Sequence, residues 1–178
     1  MKEYIITTKR LGLRNWCSSD IEPFGKMSQD KKVMEFFPKL LSKEECVDFI
    51  KRMQTHFQKY RFCYFAIDIL ETGEFIGFTG LLNQTYESKY TPCVDIGWRL
   101  KKSSWGNGYA TEAAKSCLDY AFSELKLNDI YAFATINNKS SEKIMNKIGM
   151  NFIDTFNHPF LKEYDDLKKC IVYTKNKF

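Results

Sequence analysis

The stretch Trp105-Gly106-Asn107-Gly108-Tyr109-Ala110-Thr111-Glu112 stands between a predicted strand and a predicted helix. Its two glycines allow backbone dihedrals that side chains forbid, so consecutive N–H groups can converge on an anion. The helix that follows directs the positive end of its dipole to the same point. The pattern favours a ligand that carries phosphates, although a glycine step of this kind also occurs as a plain turn.

The helix and the two strands around this stretch form a β-α-β unit. From Gly108 onward, apolar residues recur every three or four positions, which predicts a helix with one buried face. The preceding strand is predicted over residues 93–100 and the following one over 129–136. The predicted apolar stripe of the helix consists of Ala113, Ala114, Cys117, Leu118, Ala121, Phe122 and Leu125.

The remaining elements follow from capping and turn signals. Ser42 and Glu45 form a capping box ahead of an apolar helical face, and Glu71-Thr72-Gly73 is short enough for a hairpin turn. Gly149 is predicted to end the last helix. The predicted order is a strand over 4–14, a helix from Ser18-Ser19-Asp20 to near Gln29, a helix after Ser42, strands over 61–70 and 74–82, the β-α-β unit, a helix over 138–147, and strands over 151–157 and 167–174.

Length and composition limit the function classes. The 178 residues are 44% hydrophobic, which suits one compact domain, 1–178, with a substantial core. There is no apolar run long enough for a membrane span and no apolar segment typical of a secretory signal at the start, so we expect a soluble cytoplasmic protein. Six scattered cysteines and two histidines favour neither a zinc site nor a disulfide framework. The net charge of +5 is spread along the chain, which disfavours a dedicated nucleic-acid surface.

Four separate segments of the sequence resemble the GCN5-related N-acetyltransferase (GNAT) superfamily, in particular the ribosomal-protein alanine acetyltransferases. They are residues 95–100, 105–113, 138–150 and 157–159, so the resemblance extends over essentially the whole chain. It implies a mixed α/β (α+β) fold: a mostly antiparallel seven-stranded sheet that splays between its fourth and fifth strands, flanked by about four helices.

The resemblance implies acetyl-coenzyme A as the acyl donor; the scattered cysteines and the two histidines separately indicate no metal. The pyrophosphate of acetyl-coenzyme A would lie on the backbone N–H groups of the glycine stretch. Its pantetheine arm would pair with the strand that precedes the stretch and would contact Asn138 and Ser141. Trp105 stands where the family often has Gln or Arg, a replacement that the subgroup commonly shows. Gly97 would give the thioester room, or would mark a β-bulge, and capping is the alternative role for Asn138 and Ser141. The implied cofactor-binding residues are Ile96, Gly97, Trp98, Arg99, Leu100, Trp105, Gly106, Asn107, Gly108, Tyr109, Ala110, Thr111, Asn138 and Ser141.

Two residues are candidates for proton transfer. Asp95 is an acid in the otherwise uncharged run 90–98, and many relatives carry Glu there, so it is the candidate base, acting through water. An electrostatic or structural role for this carboxylate is the alternative. Met145 occupies the position at which many of these enzymes have the tyrosine that protonates the leaving thiolate. That role passes to Ser141, to water, or to no group, since a thiolate is a tolerable leaving group.

The acceptor is expected to contact Trp16, Phe36, Phe37, Asp95 and His158, although aromatic residues in such numbers more often form a core and histidine is often structural. The function predicted is acetyl transfer from acetyl-coenzyme A directly to a primary amine, a protein N-terminus or a small molecule, by a monomer or a homodimer. The alternatives are a sensor that binds acyl-coenzyme A without turnover and a ribosome-associated binding module. Neither a membrane nor a nucleic acid is an expected partner.

Overall fold

A computed structural model of the protein describes residues 3–177, in which eight strands form one sheet in the order β1-β2-β3-β4-β5-β6-β8-β7. Four α-helices accompany the sheet, and the fold is the mixed α/β class predicted from the sequence. The elements are β1 (Ile6–Thr7), β2 (Leu11–Arg14), α1 (Ile21–Ser28), α2 (Lys43–Tyr60), β3 (Tyr64–Ile69), β4 (Phe75–Gln84), β5 (Cys93–Leu100), α3 (Tyr109–Ser123), β6 (Asp129–Thr135), α4 (Lys139–Lys147), β7 (Asn151–Asn157) and β8 (Lys169–Asn176).

The sheet has eight strands where seven were predicted, because residues 4–14 fold as a hairpin and not as one strand. β1 pairs antiparallel with β2, and Leu11 N–H donates to the Thr8 hydroxyl in the turn between them. The Glu112 carboxylate, on α3, accepts from the Thr8 hydroxyl at 2.6 Å and from Arg10 N–H at 3.1 Å. This long-range anchor fixes the turn, and the alternation of apolar residues along 4–14 does not reveal it.

Local signals predicted the helix ends well. Ser42 and Glu45 form the predicted capping box: Glu45 N–H donates to the Ser42 hydroxyl at 3.2 Å, and Ser42 N–H donates to the Glu45 carboxylate at 2.8 Å. Gly149 follows α4 with a φ of 76°, the left-handed conformation that ends a helix. Asp20 precedes α1 but makes no side-chain cap there, since its carboxylate pairs with Arg14 instead.

A buried ion-pair cluster ties the N-terminal segment to the sheet. The Arg14 guanidinium donates to Asp20 at 2.7 and 2.8 Å and to Asp68 at 2.7 and 2.9 Å. All three side chains are at most 5% exposed. Two carboxylates therefore compensate the one buried cation, and strands β2 and β3 are held to the segment that leads into α1.

The central strands create the gap that the family fold requires. β4 and β5 pair antiparallel in continuous register from Gln84–Cys93 to Gly77–Leu100. In the described part of the chain, β5 and β6 share a single parallel register pair, Asp95–Tyr131. Beyond Asp95 the two strands diverge, so the edge of β5 that faces β6 is open. The splay predicted between the fourth and fifth strands of the sequence is thus confirmed between β5 and β6.

Helix α3 packs on the sheet through five of the seven residues predicted for its apolar face; Phe122 is only half-buried, and Leu125, also half-buried, lies beyond the end of the helix. Ala113, Ala114, Cys117, Leu118 and Ala121 are at most 3% exposed and belong to the core. No helix within residues 3–177 is long and apolar enough to cross a membrane.

Candidate active site

The glycine stretch has the geometry of an anion cradle. Gly106 and Gly108 have φ values of 79° and 78°, a conformation that side chains with a Cβ atom rarely adopt. A Cβ atom at Gly106 would have no other atom within 4 Å, and one at Gly108 would meet only Arg10 Nη2 at 3.7 Å. The space over both glycines is therefore open, and either side chain would fill it.

The N–H groups of residues 106–111 find no hydrogen-bond acceptor among residues 3–177. The first intrahelical bond of α3 begins one residue later, where Glu112 N–H donates to Gly108 O at 3.0 Å. Free donors, the start of a 15-residue helix and an unfilled space above two glycines together fit a pyrophosphate group.

Arg10 adds a positive charge at the edge of the cradle. Its guanidinium pairs with Glu112 at 2.6 Å and lies 4.5 Å from the centre of the Tyr109 ring. The hydrogen bonds from Thr8 and Arg10 lower the pKa of Glu112 against the effect of its partial burial. This arrangement locks the first turn of α3 to the β1–β2 turn and keeps the cradle in place without any ligand.

Trp105 presents its ring at the mouth of the cradle. The side chain is 47% exposed, and its Nε1–H donates to Leu100 O at 2.9 Å. The indole is therefore held in one orientation although it is not buried. It supplies no charge to the site, so the main-chain donors and the helix start carry the attraction for an anion.

Asp95 lies on β5 at the point where β5 and β6 diverge. It is 8% exposed, and its two oxygens accept from Tyr64 Oη at 2.7 Å and from Gln84 Nε2 at 3.0 Å. Burial raises the pKa of this carboxyl to about 7, and the two hydrogen bonds oppose the rise. Within residues 3–177 Asp95 has no cationic partner, so hydrogen bonds and not a salt bridge hold its carboxylate. The catalytic role and the electrostatic or structural role both stay predictions.

Gly97 makes room for the tyrosine that holds Asp95. A Cβ atom at Gly97 would lie 3.1–3.2 Å from Tyr64 Cζ, Cε1 and Oη, closer than ordinary contacts allow. Gly97 pairs regularly with Gly80 on β4, so it does not mark a bulge. Burial and the nearby Asp95 charge raise the pKa of Tyr64 well above its usual value, which keeps its hydroxyl a donor to Asp95.

The start of α4 lies after β6, on the other side of the gap. Asn138 caps the helix, since its side-chain oxygen accepts from Ser141 N–H at 3.0 Å. This confirms the capping alternative for Asn138 and leaves its amide nitrogen free for a ligand. The Ser141 hydroxyl has no hydrogen-bond partner among residues 3–177, whereas Met145 is 1% exposed and belongs to the core.

Six aromatic side chains, which we call the aromatic cluster, line the region beside Asp95. The ring of Tyr86 is central: its centroid lies 4.7 Å from His158, 5.4 Å from Phe160 and 6.4 Å from Phe133. Phe160 is 71% exposed, so the cluster opens to solvent on that side. The members are Tyr86, Tyr90, Phe133, Phe156, His158 and Phe160.

Tyr86 also carries an unsatisfied polar atom. Its hydroxyl is buried and has no hydrogen-bond partner among the described residues. Burial, followed by the charge of Asp95, raises the pKa of Tyr86, so the hydroxyl is protonated and lies within electrostatic reach of the candidate base. A buried hydroxyl without a partner costs free energy, which a hydrogen bond to a ligand would recover.

His158 has the structural role considered for it, and its contact with the acceptor stays a prediction. Its Nδ1 accepts from Phe160 N–H at 3.3 Å, so it caps the short helical turn over 159–161. The His158 ring is also a member of the aromatic cluster. Burial lowers the pKa of His158, which favours the neutral form.

The other aromatic residues predicted to contact the acceptor lie in different environments. Trp16 is 3% exposed, packs edge-on against Phe24 and Phe49, and donates from Nε1 to Tyr64 O at 2.5 Å. It is a core residue and does not wall an open groove, which corrects that prediction. Phe36 is half-buried and Phe37 is exposed, both in the irregular segment 31–41 between α1 and α2.

Sequence reasoning missed four residues that build the site: Tyr64, Gln84, Tyr86 and Phe133. They come from β3, β4, the segment between β4 and β5, and β6. None belongs to a local motif, and their shared location appears only when the sheet forms.

Comparison with known proteins agrees with this geometry. A sequence model described as an acetyltransferase (GNAT) domain matches residues 10–151. The uncharacterized protein YkkB of Bacillus subtilis is 32% identical over 153 residues, which cover 84% of this chain and 87% of YkkB.

Two solved structures share the fold. A GNAT-family acetyltransferase from Bacillus anthracis superposes with a TM-score of 0.81 at 24% identity, covering 97% of this chain and 98% of that one. RimL, a ribosomal L7/L12 alpha-N-protein acetyltransferase in complex with coenzyme A, does so with a TM-score of 0.78 at 16% identity and 98% coverage of both chains. This chain belongs to the GNAT acetyltransferase family and is an N-acetyltransferase that uses acetyl-coenzyme A.

Proposed function

We propose that this enzyme acetylates a primary amine held beside Asp95, in a ternary complex, with the Asp95 carboxylate as the base. The observation that carries the proposal is the buried Asp95 carboxyl with a pKa of about 7 at the point where β5 and β6 diverge. A base of that pKa is half-deprotonated at neutral pH and still strong enough to take a proton in a transition state.

The residues of the cradle would hold the acyl donor. When bound, acetyl-coenzyme A supplies an acyl group activated as a thioester. The free N–H groups of residues 106–111 would bind its pyrophosphate, and the open edge of β5 from Ile96 to Leu100 would hydrogen-bond the pantetheine arm. Asn138, at the start of α4, offers its free amide nitrogen to the same arm.

Asp95 would accept the proton of the attacking amine, directly or through a water molecule. Tyr64 and Gln84 each occupy one carboxylate oxygen, and each oxygen retains a lone pair for a further donor. The two hydrogen bonds fix the carboxylate in one orientation, so its remaining lone pairs have a defined direction. Separately, holding the amine and the thioester together in the correct geometry can itself supply roughly 7 kcal/mol or more.

Ser141 is the proposed proton source for the departing thiolate, either directly or by orienting a water molecule. Its hydroxyl has no partner within the described range 3–177, and it lies on the first turn of α4, next to the proposed pantetheine site. The tyrosine that many relatives use is replaced by the buried Met145.

The aromatic cluster would receive the acceptor. Aromatic faces attract ammonium groups and also pack against apolar parts of a substrate. The unpartnered Tyr86 hydroxyl can hydrogen-bond the incoming nitrogen next to the base. Both a protein N-terminus and a small-molecule amine carry a nitrogen that could bind there. The likeness in fold to RimL is compatible with a protein N-terminus as the acceptor.

Amine-dependent release of thiol from acetyl-coenzyme A tests the proposal. Over a panel of peptides and small amines, we expect at least one acceptor to release thiol, with kcat/KM rising through pH 7 as Asp95 loses its proton. Asp95→Asn should lower kcat/KM by 100-fold or more, in the range typical of a lost general base, and should remove the rise through pH 7.

Two outcomes would reject the proposal. Tight binding of acetyl-coenzyme A with no release by any amine favours a non-catalytic sensor, a reading that the buried Met145 also permits. An unchanged pH profile in Asp95→Asn would remove Asp95 from the reaction.

Location and assembly complete the proposal. We place the enzyme in the cytoplasm, as a single domain acting as a monomer or homodimer without a dedicated nucleic-acid surface. The scattered distribution of its 27 basic residues supports the last point.

A further inference from the structure

Arg14 is buried and Arg99 is half-buried, and the two arginines differ in their partners. Arg14 donates to two buried carboxylates. The Arg99 side chain makes no hydrogen bond or ion pair with any of residues 3–177, and its Nε and Nη1 atoms are both buried and unpartnered. The fold thus provides an anion for one guanidinium and none for the other.

Contacts with aromatic rings offset only part of the free-energy cost of burying polar atoms of the Arg99 guanidinium. Its guanidinium carbon lies 3.8 Å from the centre of the Phe37 ring and 5.3 Å from that of Phe78. Contacts between a cation and an aromatic face are weak compared with the desolvation penalty of burying the polar atoms of an ion. Burial accordingly lowers the pKa of Arg99 to about 10, which still leaves it charged at neutral pH. The positive charge of Arg99 remains without a matching negative one.

Arg99 lies on the acceptor side of the sheet. Side chains of a strand alternate between its faces, so Asp95, Gly97 and Arg99 point to the same face. On that face Tyr64 donates to Asp95, and the Tyr64 ring stacks on Phe78, which also contacts Arg99. A continuous patch therefore connects the candidate base with the unpaired guanidinium.

We infer that Arg99 binds a carboxylate of the acceptor, so the preferred substrate is an amine that carries a carboxylate some distance from the reacting nitrogen. The inference rests on the proposed function, because it takes Asp95 to mark the position of the amine. A guanidinium binds a carboxylate through two parallel N–H bonds in its own plane, while its faces remain stacked on aromatic rings.

The distance between Asp95 and Arg99 limits the substrate class further. Residues 95 and 99 are about 13 Å apart along β5, at about 3.3 Å per residue. The carboxylate of an α-amino acid is too close to its own amine to use both sites. A peptide whose acidic side chain follows the N-terminus, or an ω-amino acid, has the necessary length. The segment that carries Phe37 has no helix or strand, and its displacement would open the guanidinium to such a ligand.

Binding of matched acceptors to the enzyme loaded with coenzyme A tests this inference. One arm compares the peptides Ala-Glu-Ala-Ala-amide and Ala-Gln-Ala-Ala-amide, and the other compares 6-aminohexanoic acid with 6-aminohexanamide. We expect the acid of at least one pair to bind tenfold or more tightly by calorimetry, and the arm that shows the preference identifies a peptide or a small molecule.

Variants at Arg99 assign the preference to this residue. Arg99→Met retains an apolar stem against Phe37 and Phe78 and should reduce the acid-to-amide ratio to about one. Arg99→Lys should retain part of the ratio, because it keeps the charge but not the paired donors. Far-UV circular dichroism spectra and cooperative urea unfolding like those of the wild type should show that both variants are folded.

Equal binding of acid and amide by the wild type in both arms, or an undiminished ratio in Arg99→Met, would overturn the inference. Thiol release in the same samples reports separately on the proposed function. If no amine releases thiol while the binding ratio behaves as expected, the catalytic proposal fails and the Arg99 site stands.

Discussion

The raised pKa of Asp95 is the net result of two opposing effects. Burial favours the neutral carboxylic acid, whereas hydrogen bonds from Tyr64 and Gln84 favour the carboxylate. Burial is the larger effect, so the pKa settles near 7. The carboxyl is thus poised between two protonation states at neutral pH, as a general base requires.

This shift predicts a cost in stability. A carboxyl whose pKa is higher in the folded state than the usual 3.8 destabilises the fold as pH rises from about 4 to 7. At about 1.4 kcal/mol per pKa unit, the cost reaches up to about 4 kcal/mol above pH 7. Asp95→Asn should abolish this loss, so its free energy of unfolding relative to wild type should increase between pH 5 and pH 8. Urea titrations at both pH values measure the difference, and a constant difference would contradict the raised pKa.

Gly97 predicts a second effect at a single position. Gly97→Ala adds a Cβ atom 3.1–3.2 Å from Tyr64, so the Tyr64 ring must shift by a few tenths of an ångström, and we expect this shift to disturb its hydrogen bond to Asp95. We expect a loss of about 1–3 kcal/mol in the free energy of unfolding, as for other overpacked sites, together with a lower kcat/KM.

Gly25→Ala is the matched control for this change. A Cβ atom at Gly25, in α1, has no other atom within 4 Å. Alanine there should stabilise the helix by about 0.5–1 kcal/mol and leave kcat/KM unchanged. Equal behaviour of the two variants would refute the role of Gly97 in placing Tyr64.

Strands and helices take their positions from a few long-range polar contacts. Arg14 joins β2, β3 and the turn before α1, and Glu112 joins α3 to the β1–β2 turn. The second link orients the start of α3 and hence the cradle. The positions of these strands and helices therefore depend on ion pairs between residues that are far apart along the chain.

Arg14→Met tests the first link. The change leaves Asp20 and Asp68 buried without their cation, and removal of one partner from a buried ion pair typically costs about 3–5 kcal/mol. We expect a loss of that size in urea unfolding. Lys26→Met removes an exposed cation, whose pair with Glu22 is solvent-screened, and should change stability by less than about 1 kcal/mol. Similar losses in the two variants would contradict the assigned role of Arg14.

Sequence patterns predicted the elements whose causes are local. The capping box at Ser42, the stop at Gly149 and the apolar face of α3 all depend on neighbours within a few positions. The division of residues 4–14 into two strands was not predictable in this way, because the turn is held by Glu112, which is 104 residues from Thr8.

The same distinction between local and long-range causes holds for the candidate site. Motif resemblance located the cradle and Asp95, which lie within short signatures. It did not reveal Tyr64, which is 31 residues from Asp95 along the chain, or Tyr86, which the sheet brings beside it. Aromatic residues are compatible with both a core and a cleft, and only packing showed that Trp16 belongs to the core.

The fold as a whole converges on one arrangement. The start of α3 presents N–H groups that have no acceptor among residues 3–177, and the proposed base Asp95 lies at the single register pair between β5 and β6. We propose that the main chain of residues 106–111 holds the cofactor in line with Asp95. It requires backbone conformations that only glycine adopts readily.

Calorimetric affinity for acetyl-coenzyme A in the double variant Gly106→Val/Gly108→Val tests that claim most directly. Gly73→Val is the matched control, since Gly73 has a similar φ of 69° and equally open surroundings but lies in the β3–β4 turn. We predict a loss of binding of 100-fold or more in the folded double variant and wild-type affinity in the control. Unchanged affinity in the double variant would contradict the account.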